Sequence, residues 1–297
     1  METILITGAG PNGVTGRLIK EYFQSEYNLI TPSSKELDLT NDEVVSQFFS
    51  ANQIDYVIHC ATFRPHSVDS SHLVDEELES NLRMYYSLAS QNKHYKKMIY
   101  FGSGAEFDKS KPIVNVSEDD FGHTVPKNKY GLGKYIMNDN ARKSDNIYNF
   151  RLFGTINKYE RPNKNVISNI CAKAILGIPL TLRQDCLLSF IDINDVLPIL
   201  RTALATSLAF HDYNLVSDKP YYLSDIASII QELSNSKKDI TFSKKGFNIE
   251  YTASNERVKS EMNPIFTSIR DSVKDVYNHI KSIKSEINIY EIDNRWK

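Results

Sequence analysis

Thr7-Gly8-Ala9-Gly10-Pro11-Asn12-Gly13-Val14-Thr15-Gly16 is the stretch that decides the fold. It follows the apolar run Ile4-Leu5-Ile6 and precedes Leu18, Ile19, Tyr22 and Phe23, which recur at helical spacing. A run that is apolar on consecutive residues reads as a parallel strand buried on both faces. Between such a strand and a helix, glycine lets the backbone turn sharply and approach a pyrophosphate that a Cβ would hold off. The helix N-terminus then offers unpaired N–H groups and a partial positive charge to the anion. Two registers fit. Gly8, Gly10 and Gly13 match G-x-G-x-x-G, whereas Thr7-Gly8, Gly13 and Gly16 match T-G-x-x-G-x-x-G with two residues inserted. We prefer the second, which starts the helix at Arg17; Asn12 and Val14 complete the expected phosphate loop.

Outward from this loop, strands are expected at 28–31, 56–60, 98–101 and 148–153, alternating with helices at 43–50, 76–91 and 129–142. Such alternation implies a parallel sheet with helices on both faces, and right-handed crossovers make it doubly wound. Beyond Gly154 the rhythm loosens. A loop around 162–165 leads to a helix at 166–176, a strand at 187–193 and a helix to about 204. Short strands at 213–215 and 239–242 then mix with helices at 223–233 and 273–283. The expected architecture is α/β. Residues 1–164 form a dinucleotide-binding domain to which 188–206 return, and 165–297 form mainly a smaller α+β substrate domain.

Composition narrows the function classes. The chain has 297 residues, 41% hydrophobic and 24% charged, as in an ordinary globular protein. Its 35 Lys and Arg nearly balance 37 Asp and Glu, so the basic footprint of a nucleic-acid binder is missing. The Lys-rich stretch 237–245 reads as solvated surface. Three scattered cysteines, Cys60, Cys171 and Cys186, form no Cys-x-x-Cys pair, which argues against structural zinc and for a reducing compartment. No apolar stretch approaches the roughly 20 residues of a membrane span, and the chain opens directly into a strand rather than a signal segment. A cytoplasmic setting, with no membrane and no nucleic-acid partner, is the expectation.

The end of the second strand bears on the cofactor. An acid there binds the ribose 2′-hydroxyl of NAD and repels the 2′-phosphate of NADP. Here the residues are Thr31-Pro32-Ser33-Ser34-Lys35, with no carboxylate before Glu36. Two hydroxyls and an ammonium favour NADP(H). Lys35 reads equally as a solvated loop residue, so NAD(H) stays open.

Tyr130-Gly131-Leu132-Gly133-Lys134 places a phenol and an ammonium four residues apart on one helix face. A phenol ordinarily ionises near pH 10, so acid–base work at neutral pH calls for a fixed cation nearby. Alone, this pair reads as a surface feature. Phe101-Gly102-Ser103-Gly104 changes that, because it sets a hydroxyl at the carboxyl end of the fourth strand, where open α/β sheets bind ligands.

These motifs, with Asp38-Leu39, His59-Cys60-Ala61-Thr62, Asn81, Pro126, Arg151-Leu152-Phe153, the 190–196 segment and Tyr213-Asn214-Leu215, occur in an order that resembles the extended short-chain dehydrogenase/reductases. These are the NAD(P)-dependent nucleotide-sugar epimerases, dehydratases and reductases, built on a Rossmann-type doubly wound sheet with a smaller C-terminal substrate domain. The stretch 35–62 is most similar to the NADPH-dependent 4-keto-sugar nucleotide reductases. The resemblance implies that Tyr130 exchanges a proton with the sugar oxygen and Ser103 hydrogen-bonds that oxygen. Lys134 would hold the nicotinamide ribose. Asp38 and Leu39 would flank the adenine, with Cys60, Ala61, Thr62, Leu152 and Phe153 along the cofactor.

Departures from the family pattern select among its reactions. The dehydratases carry an Asp-Glu pair directly after the catalytic hydroxyl residue, and here Gly104-Ala105 stand there. Glu106 comes one place later, on chain read as extended, which would turn it away from that role; it is retained as a candidate substrate contact. The cysteine that relatives epimerising carbons beside the ketone place two residues after the serine is Ala105 here. The arginine that clamps the nucleotide diphosphate is replaced, with its neighbour, by Leu188-Ser189. Arg183 or Arg257 would supply that charge, and Asn165 is a further candidate substrate contact. Three readings follow: reduction of a 4-keto (6-deoxy) sugar nucleotide, 4-epimerisation with retained NAD, and a non-catalytic NADP-binding sensor. Family habit implies a homodimer through a four-helix interface, with Met84, Tyr85 and Leu88 as candidates against a competing role in the core. It also implies a setting in polysaccharide biosynthesis.

Overall fold

The computed structural model describes residues 1–11, 13–63 and 73–293. In chain order the first half runs β1 (Thr3–Thr7), α1 (Val14–Phe23), β2 (Asn28–Ile30), α2 (Asp42–Ala51), β3 (Tyr56–His59), α3 (Leu73–Ala89) and β4 (Lys97–Ser103). A 3-10 helix (Gly104–Phe107) follows, then β5 (Ile113–Val116), α4 (Lys129–Ala141), β6 (Ile147–Leu152) and β7 (Gly154–Ile156). The second half comprises α5 (Val166–Leu176), β8 (Leu180–Leu182), β9 (Leu187–Leu188), β10 (Phe190–Asp192), α6 (Ile193–Ala205) and β11 (Asp212–Leu215). It ends with β12 (Tyr221–Tyr222), α7 (Leu223–Ser234), β13 (Ile240–Phe242), β14 (Tyr251–Ala253), α8 (Glu256–Met262), α9 (Ile269–Ser282) and α10 (Ile289–Asp293).

Six strands form one parallel sheet in the order β11-β6-β4-β3-β1-β2. Alternate residues of β1 explain its unbroken apolar run. Ile4 and Ile6 face a core shared with α1, α6 and α8, while Leu5 faces one shared with α2, α3 and α4. All three are fully buried, so the strand has no solvent face to encode as polar. The chain leaves β1 for β2 on one side and returns to β3 on the other. That reversal opens a crevice at the carboxyl ends of β1 and β3, where doubly wound folds bind ligands.

The second core gathers α5, α7, α9 and α10 around Ile170, Ile226, Val276 and Ile280. Beside it lie a four-stranded sheet in the order β12-β9-β14-β5 and the pairs β10–β7 and β13–β8. Three segments sit differently from the expected division at residue 164. Strand β11, expected in the smaller part, pairs with β6 as the outermost strand of the central sheet, and α8 packs on it through Val258 and Met262. Strand β5, from the first half of the chain, instead completes the small sheet beside β14. Neither β5 nor β14 was expected, because each is too short to show a period.

Tyr85 and Leu88 are fully buried in the core between α3 and the sheet, so neither is free to meet a second copy. Burial of their apolar surface within the chain takes precedence. Tyr86, between them, is 40% exposed. Among the described residues, no helix is long and apolar enough to cross a membrane.

Candidate active site

The glycine loop is held against the end of β3. Gly8 adopts φ +71, and an added Cβ would stand 2.6 Å from the Ala61 nitrogen. A Cβ on Gly13 would stand 1.8 Å from the Gly8 oxygen, and one on Gly16 2.6 Å from it. Gly10 has nothing within 4 Å, so the crowded positions follow the register Gly8, Gly13, Gly16. The helix itself starts at Val14 rather than Arg17, because Gly16 packs inside its first turn. Gly13 caps α1 with no side-chain hydrogen bond, leaving the first-turn N–H groups to whatever the loop cradles. The glycines let the loop close on itself and on β3, and the helix N-terminus it presents fits a dinucleotide pyrophosphate. Asn12 lies outside the described residues.

Thr7 ties the two strand ends together. Its hydroxyl oxygen accepts from the Cys60 nitrogen at 3.2 Å and the Ala61 nitrogen at 3.3 Å, and lies 2.8 Å from His59 Nδ1. Burial, reinforced by the nearby Lys134 charge, pushes the His59 pKa down to about 3, so the imidazole is neutral. Burial also raises the Cys60 thiol, keeping it protonated. Asn81 Oδ1 accepts from the Phe63 nitrogen and its Nδ2 donates to the Phe63 oxygen, both at 3.0 Å, which fixes the chain beyond Thr62.

At the end of β2, the Ser33 nitrogen and hydroxyl both donate to Glu36 Oε2, at 2.7 and 2.8 Å. These bonds hold the Glu36 carboxyl below its ordinary range. A carboxylate therefore stands on the donors expected to receive a 2′-phosphate, while Ser34 and Lys35 are exposed beside it. Asp38 accepts from the Thr40 nitrogen and hydroxyl at 2.9 and 2.7 Å, and buried Leu39 accepts the Ser87 hydroxyl at 2.6 Å.

Ser103 ends β4 and caps the 3-10 helix, its oxygen accepting from the Ala105 nitrogen at 3.2 Å. Helix α4 presses on that helix at Gly131, where a Cβ would stand 2.5 Å from the Ala105 oxygen. Only glycine permits this approach, and Tyr130 is the residue just before it. Lys134, one turn further and 9% exposed, donates to the Phe101 oxygen at 2.8 Å and sits within electrostatic range of His59 and Cys60. The fold thus brings Ser103, Tyr130 and Lys134 to the carboxyl ends of β3 and β4.

Two expected substrate contacts are committed elsewhere. Residues 104–107 are helical rather than extended, and this turns Glu106 inward. Its carboxylate accepts from the Ser103 nitrogen at 3.0 Å and pairs with Arg151 Nε at 2.8 Å, both side chains fully buried. Arg257 pairs with Asp212 at 3.0 Å and Asp119 at 2.6 Å, its guanidinium over the Phe210 ring. Neither is free for a ligand, because a buried charge takes the counter-charge the fold supplies. Asn165 caps α5 without a side-chain bond and, like Arg183, is exposed.

Tyr251 is a site residue that the sequence did not signal. Its hydroxyl lies within hydrogen-bonding reach of the Ser103 side chain, and its ring packs on Phe153 with centroids 4.8 Å apart. Leu152 precedes Phe153 at the end of β6. Only the pairing of β14 with β5 and β9 carries Tyr251 to Ser103.

The chain matches GDP-L-colitose synthase of Yersinia pseudotuberculosis at 25% identity over 190 residues, spanning 59% of this chain and 61% of that protein. Among solved structures, GDP-mannoheptose C4 reductase from Campylobacter jejuni with NADP bound superposes with a TM-score of 0.81 at 15% identity, covering 94% of this chain and 98% of that one. The Bordetella bronchiseptica enzyme WbmG in complex with NAD and UDP gives 0.78 at 15% identity, covering 95% and 94%. These superpositions establish a shared fold. A family model matches residues 4–215, from the first strand of the central sheet to the last, and the chain belongs to the NAD dependent epimerase/dehydratase family.

Proposed function

We propose that the chain reduces a 4-keto (6-deoxy) sugar nucleotide, with Tyr130 as proton donor and a nicotinamide cofactor, NAD(P)H, held by the glycine loop. The observation that carries this reading is the capture of Glu106 by Arg151. Elimination of water, or epimerisation beside a ketone, needs a further acid or base close to Ser103. The nearest carboxylate along the chain is locked beneath the serine instead. What stands in the cleft, Ser103 with Tyr130 and Lys134, suffices for carbonyl reduction.

The Ser103 hydroxyl donates to the substrate carbonyl oxygen and fixes its position. Tyr130 gives its proton to the same oxygen as negative charge develops there. The Lys134 ammonium supports the phenolate left behind and would hold the cofactor ribose. A bound nicotinamide supplies the hydride.

One observation favours a second reading, 4-epimerisation with retained NAD: the Glu36 carboxylate at the end of β2 opposes a 2′-phosphate. Cofactor extraction from freshly purified protein separates the two. Tightly held NAD supports the epimerase; protein free of nucleotide that then oxidises NADPH with a 4-keto sugar nucleotide supports the reductase. Replacing Tyr130 with Phe should lower kcat by roughly 10²–10⁴-fold while leaving cofactor affinity intact. A Tyr130→Phe enzyme of unchanged kcat removes the proton-donor role.

A further inference from the structure

Lys109 lies just beyond the 3-10 helix that carries Ser103. Asp108, at φ 62, turns the chain there, and its carboxylate accepts from the Ser110 nitrogen at 3.2 Å and hydroxyl at 2.9 Å. The turn lays the Lys109 ammonium 4.1 Å from the centroid of the Tyr251 ring, whose hydroxyl end meets Ser103. Tyr130 and Cys186 are close enough to interact electrostatically with the same ammonium. Tyr251 pairs in register with Leu188, so Lys109 also stands beside the segment 186–188.

Four other cations of this region are occupied. Arg151 is held by Glu106 and Asp212, Arg142 by Asp212, Arg257 by Asp119 and Asp212, and Lys134 by the Phe101 oxygen. Among the described residues, no carboxylate pairs with Lys109. The protein packed around it lowers its pKa, although the residue keeps solvent-exposed surface. An ammonium seated on the Tyr251 ring, with no carboxylate partner among the described residues and one tyrosine's length from the proposed reaction centre, is placed to receive an anion.

We propose that Lys109 binds the phosphate groups of a nucleoside-diphosphate sugar, supplying the cation that Leu188-Ser189 lack. This rests on the sugar-nucleotide reading above. The aromatic face of Tyr251 fixes the ammonium on one side and leaves N–H donors for a ligand on the other.

Isothermal titration of GDP, UDP, dTDP, ADP and CDP into the full chain, with NAD⁺ or NADP⁺ saturating the glycine loop, tests the assignment. Lys109→Gln and Lys109→Met, whose stem still covers the Tyr251 ring, should both bind the preferred diphosphate at least tenfold more weakly, with a shallower salt dependence. Lys109→Arg should restore binding to within about threefold, and dinucleotide affinity should not change in any variant. Wild-type diphosphate affinity in both neutral variants would overturn the role of Lys109 and leave the sugar-nucleotide reading standing. Parallel loss of diphosphate and dinucleotide binding in both would show a structural role instead. A wild-type protein that binds none of the five diphosphates would remove the sugar-nucleotide reading, and this inference with it.

Discussion

At the scale of single residues, the proposed cofactor site turns on Glu36 and Ser33. Serine donors after the second strand suit a phosphate, but here a carboxylate already accepts both of them. An incoming 2′-phosphate must displace Glu36 against charge repulsion, whereas a 2′-hydroxyl need not. Glu36→Gln should therefore raise NADPH affinity relative to NADH by roughly fivefold, the scale of one surface charge acting at short range. Fluorescence titration of both cofactors reads the ratio, and an unchanged ratio means that Ser33 lies away from the ribose. The residue pattern alone favoured NADP(H), and it showed no acid at Ser33, since Glu36 is three positions further along the chain. Its return to Ser33 is a property of the turn.

At the scale of elements, the 3-10 helix after β4 is positioned from below by strand side chains. Arg151 of β6 reaches Glu106 on that helix, Asp212 on β11 at 2.8 Å and Asn214 on β11 at 2.8 Å, linking the serine's support to the sheet edge. Burial opposes the Arg151 charge, but Glu106 and Asp212 more than offset it and raise its pKa. Burial likewise opposes ionised Asp212, and Arg151 with Arg142 overcomes it, holding the carboxyl below its ordinary range. Removing the centre of such a cluster leaves buried Glu106 without a cationic partner, while Asp212 keeps only Arg142 and Arg257. Arg151→Met should destabilise the protein by about 3–5 kcal/mol, measured by urea denaturation. A loss below about 1 kcal/mol would show that the cluster is a passive filling of the core. Arg151 was legible as part of a motif, but its partners were not, because β11 was expected in the other domain.

At the scale of the whole molecule, two buried groups oppose each other as pH changes. Burial, aided by the nearby Asp192 charge, pushes Glu160 up to about 8 from an ordinary 4.5. The folded state keeps that proton while the unfolded chain releases it, so stability falls as pH rises between those values. His59 behaves inversely. Its folded pKa of about 3 lies below the ordinary 6.5, and stability falls as pH drops through that interval. The two slopes offset each other from about 4.5 to 6.5, and above 6.5 the Glu160 slope stands without the His59 one. Glu160→Gln should therefore gain on wild type in thermal stability from pH 6 to pH 8, by at most about 1.4 kcal/mol per pH unit. Parallel melting curves across that range would remove Glu160 as the cause.

Local pattern determined the nucleotide-binding half. The apolar run of β1, the glycines behind it and the strand–helix alternation each need only residues close in sequence, because a parallel strand buried on both faces and a steric turn leave their mark within ten residues. The chemical types Ser103, Tyr130 and Lys134 were legible for the same reason. Tertiary structure alone decided which charges are free. Glu106 and Arg257 carry the residue types of ligand contacts, yet strand pairing delivers Arg151 to one and Asp212 to the other, and ion pairing in a low dielectric consumes both. Tyr251 reaches Ser103 through the pairing of β14 with β5 and β9, and Lys109 reaches the Tyr251 ring through a left-handed turn at Asp108. Contacts between residues far apart in the chain leave no period in its sequence, so these two entered the site only when the chain was folded.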